Sequence, residues 1–212
     1  MLFAAQGRHV PDNRPPLSAA CPHYSYRRRI GIMGGSFNPA HNGHLQSAVH
    51  ARRAARLDEV WWLVSPQNPL KPSDEMASFS RRIASAQAVA KPHRWIKILD
   101  FEQRHGLKFT ADSLTKLARH CPRAELVWIM GADNLIQFPD WHHAFGLARQ
   151  VPVLVINRPA YSYQSLASRG AALLGRQRRR TVCRLARQSR GWAFVHGARN
   201  PASSTALRRT DA

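Results

Sequence analysis

Two histidines three residues apart, His41 and His44, are the side chains in this sequence whose spacing best suits a chemical role. They follow the adjacent glycines Gly34 and Gly35 and lead into an Ala-rich amphipathic stretch, residues 44–57, that predicts a helix. Residues three apart at a helix start share one face, and the first backbone amides of a helix have no intrahelical partner. Imidazole N–H groups and such amides both donate to phosphate oxygens, so the pattern predicts a phosphate-binding site.

The segment that carries these histidines has the form of a strand, a glycine turn and a helix. Residues 30–33 are an apolar run that predicts a short buried strand. Glycine in the turn lets the backbone approach a ligand without a clashing Cβ. The alternatives are a loop with two solvated histidines or one half of a zinc site. Neither histidine lies beside a Ser or Cys placed to act as a nucleophile, and no further ligand follows nearby at zinc spacing.

Composition and charge limit the classes of protein to which this chain can belong. The 212 residues, 44% of them hydrophobic, predict one soluble domain with a full core, and the longest apolar runs are too short to span a membrane. Residues 1–28 are rich in Pro and Arg, which predicts a disordered basic extension before a domain over residues 29–212. Three widely spaced cysteines without a disulfide framework fit a reducing cytoplasm. The net charge of +20 can reflect binding to nucleic acid, binding to small anionic substrates, or simply the codon bias of a GC-rich genome. Charge alone therefore does not identify the partner.

Residues 34–44 resemble the signature of the adenylyl- and cytidylyltransferases that carry a His-x-Gly-His motif. The resemblance implies an α/β fold with a Rossmann-like, doubly wound, mostly parallel sheet flanked by helices. It also implies transfer of a nucleotidyl group to a phosphate acceptor, with Mg²⁺ bridging phosphates and few or no protein ligands to the metal. Asn38 stands where the usual loop has Asp, which removes one negative charge beside the phosphates. The ATP contacts that the resemblance implies in this segment are Gly34, Gly35, Ser36, Phe37, His41, Gly43 and His44.

Further apolar runs predict buried strands, at residues 59–65, 95–99, 126–130, 151–156 and 192–195. Helical spacing predicts helices over residues 78–90, from residue 110 to about residue 119, and over residues 161–175. In open α/β sheets, ligands bind beyond the carboxyl ends of the strands. The residues that directly follow these strands are therefore candidates for the binding site.

Polar and aromatic residues follow several of these strands. Lys71 is either a phosphate contact or a solvated loop lysine, and Arg158 can face a carboxylate or a phosphate. Asp133, directly after a strand and a glycine, suits a ribose diol, although an N-cap of the next helix fits equally well. Thr110 is predicted to be an N-cap. Trp141 either packs in the core or stacks flat on an aromatic ring.

Three strings narrow the resemblance to the nicotinate-mononucleotide adenylyltransferases. They are Asn-Pro-Leu-Lys at 68–71, Gly-Ala-Asp with a following Phe and Trp over 131–141, and Ser-Ser-Thr-Ala-Leu-Arg at 203–208. A capped terminal helix is the alternative for the last string. The resemblance implies that Thr110 and Trp141 lie on the pyridine side and that Asp133 takes a ribose. Further ATP contacts implied by these strings are Gly131, Asp133, Ser203, Ser204, Thr205 and Arg208.

The resemblance therefore implies that ATP and nicotinate mononucleotide give nicotinate adenine dinucleotide and pyrophosphate, in NAD biosynthesis. His41, His44, Lys71 and Arg208 are expected to carry catalysis, with His44 nearest the α-phosphate, and Arg158 joins Lys71 in substrate binding. Phosphopantetheine adenylyltransferase is the alternative within the superfamily, and a basic nucleic-acid-binding module is a more distant one. The sequence contains no nucleic-acid-binding motif. It does not decide between a monomer and a homo-oligomer, or between nicotinate and nicotinamide.

Overall fold

The computed structural model describes residues 27–67, 76–157, 162–175, 178–188 and 190–196, and these form one parallel β-sheet flanked by helices. In chain order the strands of these residues are β1 (Arg28–Gly35), β2 (Glu59–Val64), β3 (Ile96–Leu99), β4 (Ala124–Gly131), β5 (Val153–Ile156) and β6 (Trp192–Val195). Across the sheet the order is β3-β2-β1-β4-β5-β6, and all neighbouring strands are parallel. The Rossmann-like, doubly wound sheet that the motif implies is confirmed.

The helices lie in the connections between these strands. They are α1 (Asn42–Ala55), α2 (Phe79–Ala90), α3 (Phe101–Arg104), α4 (Thr110–His120), α5 (Ala132–Gln137), α6 (Ala144–Gln150), α7 (Ser162–Leu166) and α8 (Arg169–Leu174), with 3₁₀ helices at Phe138–Asp140 and Val182–Arg187. The strand order reverses between the neighbours β1 and β4. The loops that follow these two strands therefore open a crevice at the carboxyl edge, which is where such sheets bind ligands.

Both faces of the sheet are buried, which explains the unbroken apolar runs of the sequence. Adjacent residues of a strand point to opposite faces, so Trp61 and Trp62 belong to two different cores. Trp61 packs with Trp128 and Phe101 on one face. Trp62 packs on the other face with the loop residue Phe37 and the alanines of α1. The small side chains of α1 let this helix approach the sheet closely, and this brings its first turn next to the end of β1.

Three helix starts differ from the sequence prediction. Thr110 is the first residue of α4, and the preceding Phe109 occupies the N-cap position, so the predicted Thr110 cap is wrong. Asp133 lies inside the first turn of α5 after the N-cap residue Gly131, so the N-cap alternative for Asp133 is wrong too. The helix predicted over 161–175 is divided into α7 and α8, because Ser168 caps a new helix by accepting a hydrogen bond from the Ala171 amide at 3.2 Å.

The cysteines also differ in part from expectation. Cys121, which ends α4, is disulfide-bonded, whereas Cys183 is free. The cysteine spacing indicated no disulfide framework, and the bond at Cys121 differs from that expectation. Among the described residues, no helix combines the length and the apolar character that crossing a bilayer requires.

Candidate active site

The loop that follows β1, residues 36–41, is called the phosphate loop below. Phe37 in this loop has a φ of 47°, and its buried ring stacks on Trp62 with centroids 5.0 Å apart and an interplanar angle of 17°. The same ring lies 4.9 Å from the imidazole of His44. Phe37 thus supports His44 from within the core. Because its side chain is buried, the nucleotide contact predicted for Phe37 would have to be made by its backbone.

The two histidines cap the helix that begins after them. His41 is the N-cap residue of α1, and its Nδ1 accepts a hydrogen bond from the Gly43 amide at 3.0 Å. The Nδ1 of His44 accepts a hydrogen bond from the His41 amide at 3.2 Å. This is a reciprocal capping box, made by two imidazoles instead of a hydroxyl and a carboxylate. A ring nitrogen that accepts a hydrogen bond carries no proton, so each ring in its neutral form has its N–H at Nε2.

The charge at this helix start suits an anion. The imidazole centroids of His41 and His44 are 4.0 Å apart, so the two rings are in contact, and His41 is buried with 6% of its surface exposed. The first turn of α1 contains no acidic residue that would offset the positive end of the helix dipole. Paired N–H donors at a helix N-terminus are the groups that bind phosphate in many proteins.

The two glycines of the motif have different surroundings. A Cβ on Gly34 would lie 2.5 Å from Cη2 of Trp128, so this position has a packing reason to be glycine. A Cβ on Gly35 would meet only the Phe37 ring at 3.5 Å, which is an ordinary contact distance. The sequence predicted both glycines as nucleotide contacts. Packing within the protein limits the side chain at Gly34 but not at Gly35.

Asn38, which stands in place of the usual Asp, is buried within the phosphate loop. Its Oδ1 accepts a hydrogen bond from the Ala77 amide at 3.1 Å. A second tether joins the Ala40 amide to Ser85 Oγ at 3.2 Å. The Asn38 contact requires only an acceptor oxygen, which Asn and Asp both supply, so the substitution preserves this tether.

Arg82 is a site residue that the sequence prediction missed. Its side chain is 2% exposed and donates four hydrogen bonds to backbone carbonyls. The acceptors are the carbonyls of Ser36 at 2.7 Å, Ser65 at 2.7 Å, Pro66 at 2.8 Å and Ala77 at 3.0 Å. Burial lowers the pKa of this guanidinium from its ordinary value. A signal existed, because Arg82 falls at helical spacing from Phe79 on the apolar face of α2.

Glu102, at the carboxyl edge of the sheet, is a second residue that the sequence prediction missed. It follows β3 on the short helix α3 and is 4% exposed. Burial raises the pKa of its carboxyl group above the ordinary value, against the opposing effect of hydrogen bonds from Ser113 and Ser65. The Ser113 hydroxyl donates to Glu102 Oε1 at 2.8 Å. Because the sequence predicted no helix at residues 101–104, it provided no reason to bury this glutamate.

At the predicted pyridine side, Trp141 and His142 make three aromatic contacts. Trp141 is partly buried and meets Trp128 and Phe138 edge-on, with centroids 6.1 Å and 5.6 Å apart. Trp141 is thus packed against the core, which is one of the two expected arrangements. Next to it, His142 stacks on Phe109 with centroids 4.0 Å apart and an angle of 24°. This stack ties the loop around Trp141 to the first turn of α4, where Thr110 lies.

The described residues of the predicted site come from the carboxyl edge of two neighbouring strands, from the starts of α1 and α4, and from the loop at Trp141. β1 supplies the glycines and the phosphate loop, and β4 ends at Gly131, two residues before Asp133. Six of the predicted residues lie outside the described part of the chain: Lys71, Arg158, Ser203, Ser204, Thr205 and Arg208.

Comparison with known proteins identifies relatives of this chain. The family model of Cytidylyltransferase-like proteins matches residues 32–210. A probable nicotinate-nucleotide adenylyltransferase of Gluconobacter oxydans is 44% identical over 185 residues, which cover 86% of this chain and 94% of that protein. A second relative of the same description, from Methylorubrum extorquens, is 45% identical over 183 residues, which cover 85% of this chain and 98% of that protein.

Solved structures resemble the fold as well. Plasmodium falciparum nicotinic acid mononucleotide adenylyltransferase, in its complex with NaAD, superposes with a TM-score of 0.63. The match has 16% sequence identity and covers 86% of this chain and 83% of that one. At such low identity the likeness shows a shared fold.

Proposed function

Because the chain belongs to the Cytidylyltransferase-like family, and within it to the nicotinate-nucleotide adenylyltransferases, we propose that it transfers AMP from ATP to nicotinate mononucleotide. The products are nicotinate adenine dinucleotide and pyrophosphate. The observation that supports this proposal most directly is the histidine capping box, which presents two Nε2–H donors at a helix N-terminus. Such a helix start suits a polyphosphate substrate.

The reaction needs no protein nucleophile. An oxygen of the mononucleotide phosphate attacks the α-phosphorus of ATP in line and forms the new P–O bond. The bond from the α-phosphorus to the bridging oxygen breaks, and its electron pair leaves with pyrophosphate. The protein accelerates this step by holding the two substrates in line and by stabilising the charge on the phosphate oxygens. His44 and His41 would donate their Nε2–H groups to those oxygens.

A divalent metal would be held mainly by the substrates. The described residues include no group of three or more His, Cys, Asp or Glu that could hold a metal ion. Mg²⁺ usually keeps several waters and binds phosphates with one or two carboxylates, so such a protein cage is not required. Bound there, Mg²⁺ would neutralise charge on the triphosphate.

The remaining roles follow the same proposal. Asp133 would accept hydrogen bonds from a ribose, and Thr110 and Trp141 would line the pyridine side. Lys71 and Arg158 would contact the mononucleotide. The phosphates of ATP would be held by Ser203, Ser204, Thr205 and Arg208. The protein would act in the cytoplasm.

One assay tests the proposal against its rivals. The protein is mixed with Mg²⁺, ATP and one acceptor at a time, and pyrophosphate release is measured. The acceptors are nicotinate mononucleotide, nicotinamide mononucleotide and phosphopantetheine. The highest kcat/KM is expected with nicotinate mononucleotide. Preference for phosphopantetheine, or no release with any acceptor, overturns the proposal. Steeply salt-dependent binding to DNA or RNA without turnover would instead support a nucleic-acid-binding protein.

A further inference from the structure

Arg82 and Glu102 are two charged side chains buried at the carboxyl edge of the sheet, 2% and 4% exposed. Both contact Ser65, the residue that follows β2. Arg82 Nη1 donates to the Ser65 carbonyl at 2.7 Å, and the Ser65 side chain hydrogen-bonds Glu102. One residue therefore joins a buried cation to a buried carboxyl group.

Arg82 holds two loops of the site together. The same Nη1 donates to the Ser36 carbonyl of the phosphate loop at 2.7 Å, and Nη2 donates to the Pro66 carbonyl after β2 at 2.8 Å. The guanidinium is a planar fork that meets acceptors in several directions, which the single ammonium of a lysine does not reproduce. Loss of this donor would leave these partly buried carbonyls without its hydrogen bonds. The phosphate loop is thus fixed to the segment after β2.

Glu102 continues the connection toward α4. The Ser113 hydroxyl donates to Glu102 Oε1 at 2.8 Å and lies 3.1 Å from the carbonyl of Phe109. Phe109 precedes Thr110 and stacks on His142. This is the side of the crevice to which the proposed function assigns the mononucleotide. The hydrogen bonds therefore run from the phosphate loop to the start of α4.

The Arg82 charge itself faces no carboxylate in the described part of the chain, where its hydrogen bonds end on backbone carbonyls. Guanidinium keeps its proton in proteins. A charge in a buried, weakly screened place acts more strongly on its surroundings than an exposed one. Because Ser36 belongs to the phosphate loop, this charge lies on the polyphosphate side. A fixed charge of this kind needs no reorganisation when negative charge develops.

We infer that Arg82 and Glu102 are positioning residues of the nucleotidyl-transfer site, which hold the phosphate loop, the segment after β2 and the start of α4 in one arrangement. The inference rests on the proposed function for the identity of the reaction. Neither side chain is assigned a contact with substrate. Arg82 acts through the Ser36 carbonyl, and Glu102 acts through Ser113.

The first test replaces Arg82 with lysine, which keeps the charge and removes the fork. Arg81→Lys is the matched control, because Arg81 is the exposed neighbour on the same helix. We expect kcat of Arg82→Lys to fall about 10²-fold, the cost of a small misplacement of reacting groups. Arg81→Lys should stay within about twofold of the unaltered protein. Equal kcat for the two variants, with both folded by circular dichroism, overturns the inference.

The second test decides the matter if Arg82→Lys does not fold. Glu102→Ala removes the acceptor of Ser113, whereas Glu102→Gln keeps an oxygen of the same shape in place. Glu102→Ala should raise KM for the mononucleotide about tenfold, as expected for one lost hydrogen bond to a buried group. KM for ATP should change less, and Glu102→Gln should restore the mononucleotide KM. Equal KM values in both variants overturn the inference.

Failure of the proposed function is distinguishable from failure of the inference. If the unaltered protein releases no pyrophosphate with any acceptor, the proposed function is wrong. The Arg82 test is then made by equilibrium binding of a non-hydrolysable ATP analogue. Arg82→Lys should raise its Kd about tenfold over Arg81→Lys. Equal Kd values would contradict the positioning role.

Discussion

The indole of Trp128 fills the space beside Gly34, where a Cβ would come within 2.5 Å of Cη2. Trp128 belongs to β4, the neighbour of β1, and it also meets Trp141 edge-on. One buried ring thus lies between the strand that leads into the phosphate loop and the predicted pyridine side. The rigid indole cannot move its far end aside as a flexible side chain would, so Gly34 has little tolerance for a larger residue.

Gly34→Ala should therefore destabilise the protein by about 1–3 kcal/mol, the usual effect of overpacking a core. Gly35→Ala is the matched variant, because a Cβ there meets only ordinary contacts. It should retain the free energy of unfolding while lowering adenylyl transfer, since Gly35 is predicted to lie against the nucleotide. Urea unfolding and the pyrophosphate assay measure the two effects. A similar loss of stability in both variants would contradict the packing argument.

His41 has two tasks that substitution can separate, capping α1 through Nδ1 and donating from Nε2. Asn is a strong N-cap residue, so His41→Asn should keep the cap and lose the donor. His41→Ala should lose both, with a loss of about 1 kcal/mol in stability. Both variants should lower kcat about 10²–10³-fold, as loss of one charge-stabilising donor does. Thermal unfolding and steady-state kinetics provide the measurements.

His50, farther along α1, is the control for this pair. His50→Ala should leave kcat within about twofold, because the residue lies beyond the first turns of the helix. If His41→Asn keeps the kcat of the unaltered protein, the imidazole at this position does not serve the reaction. If His41→Asn loses as much stability as His41→Ala, the hydrogen bond from the Gly43 amide to His41 Nδ1 does not stabilise the start of α1.

Glu102 predicts a pH dependence of stability with a definite sign. Burial raises the pKa of its carboxyl group above the ordinary value of 4.5, so the folded state binds the proton more tightly than the unfolded chain. The stabilisation of the folded state that this tighter proton binding provides is complete below pH 4.5. It is lost as pH rises through the folded-state pKa of Glu102. Each tenfold difference in proton affinity corresponds to about 1.4 kcal/mol. Glu102→Gln has no proton to lose, so its stability should fall less as pH rises.

Urea unfolding from about pH 4.5 to about pH 8 measures this difference. Asp58→Asn is a control of opposite sign. Desolvation raises the pKa of Asp58, but hydrogen bonds from Arg29 and the charges of Arg29 and Arg28 bring it below 3.8. The stabilisation that the ionised Asp58 provides is lost only as pH falls below that value. Between about pH 4.5 and about pH 8, Asp58→Asn should therefore keep the same slope of unfolding free energy against pH as the unaltered protein. Equal slopes for Glu102→Gln and the unaltered protein would show that Glu102 does not titrate there.

The strands were predictable because parallel strands buried on both faces are continuous apolar runs, of which Val60–Val64 is an example. The phosphate loop was predictable because its residues are contiguous in sequence. Boundaries were less certain, as Thr110 and Ser168 show. Polar residues near a helix start do not reveal which of them becomes the cap, because the cap is the residue whose own backbone is extended directly before the first helical residue.

Sequence alone determined the family, through the resemblance of its motifs, and it determined the strands and the pair His41 and His44, which local patterns specify. Only the tertiary structure decided how His44 is supported by Phe37 on Trp62, and that Trp141 packs edge-on against Trp128. It also placed Arg82 within reach of Ser36, which is 46 residues away along the chain. Burial and hydrogen bonding of a charged side chain depend on which distant carbonyls surround it, and this is a property of packing, with no counterpart in local sequence.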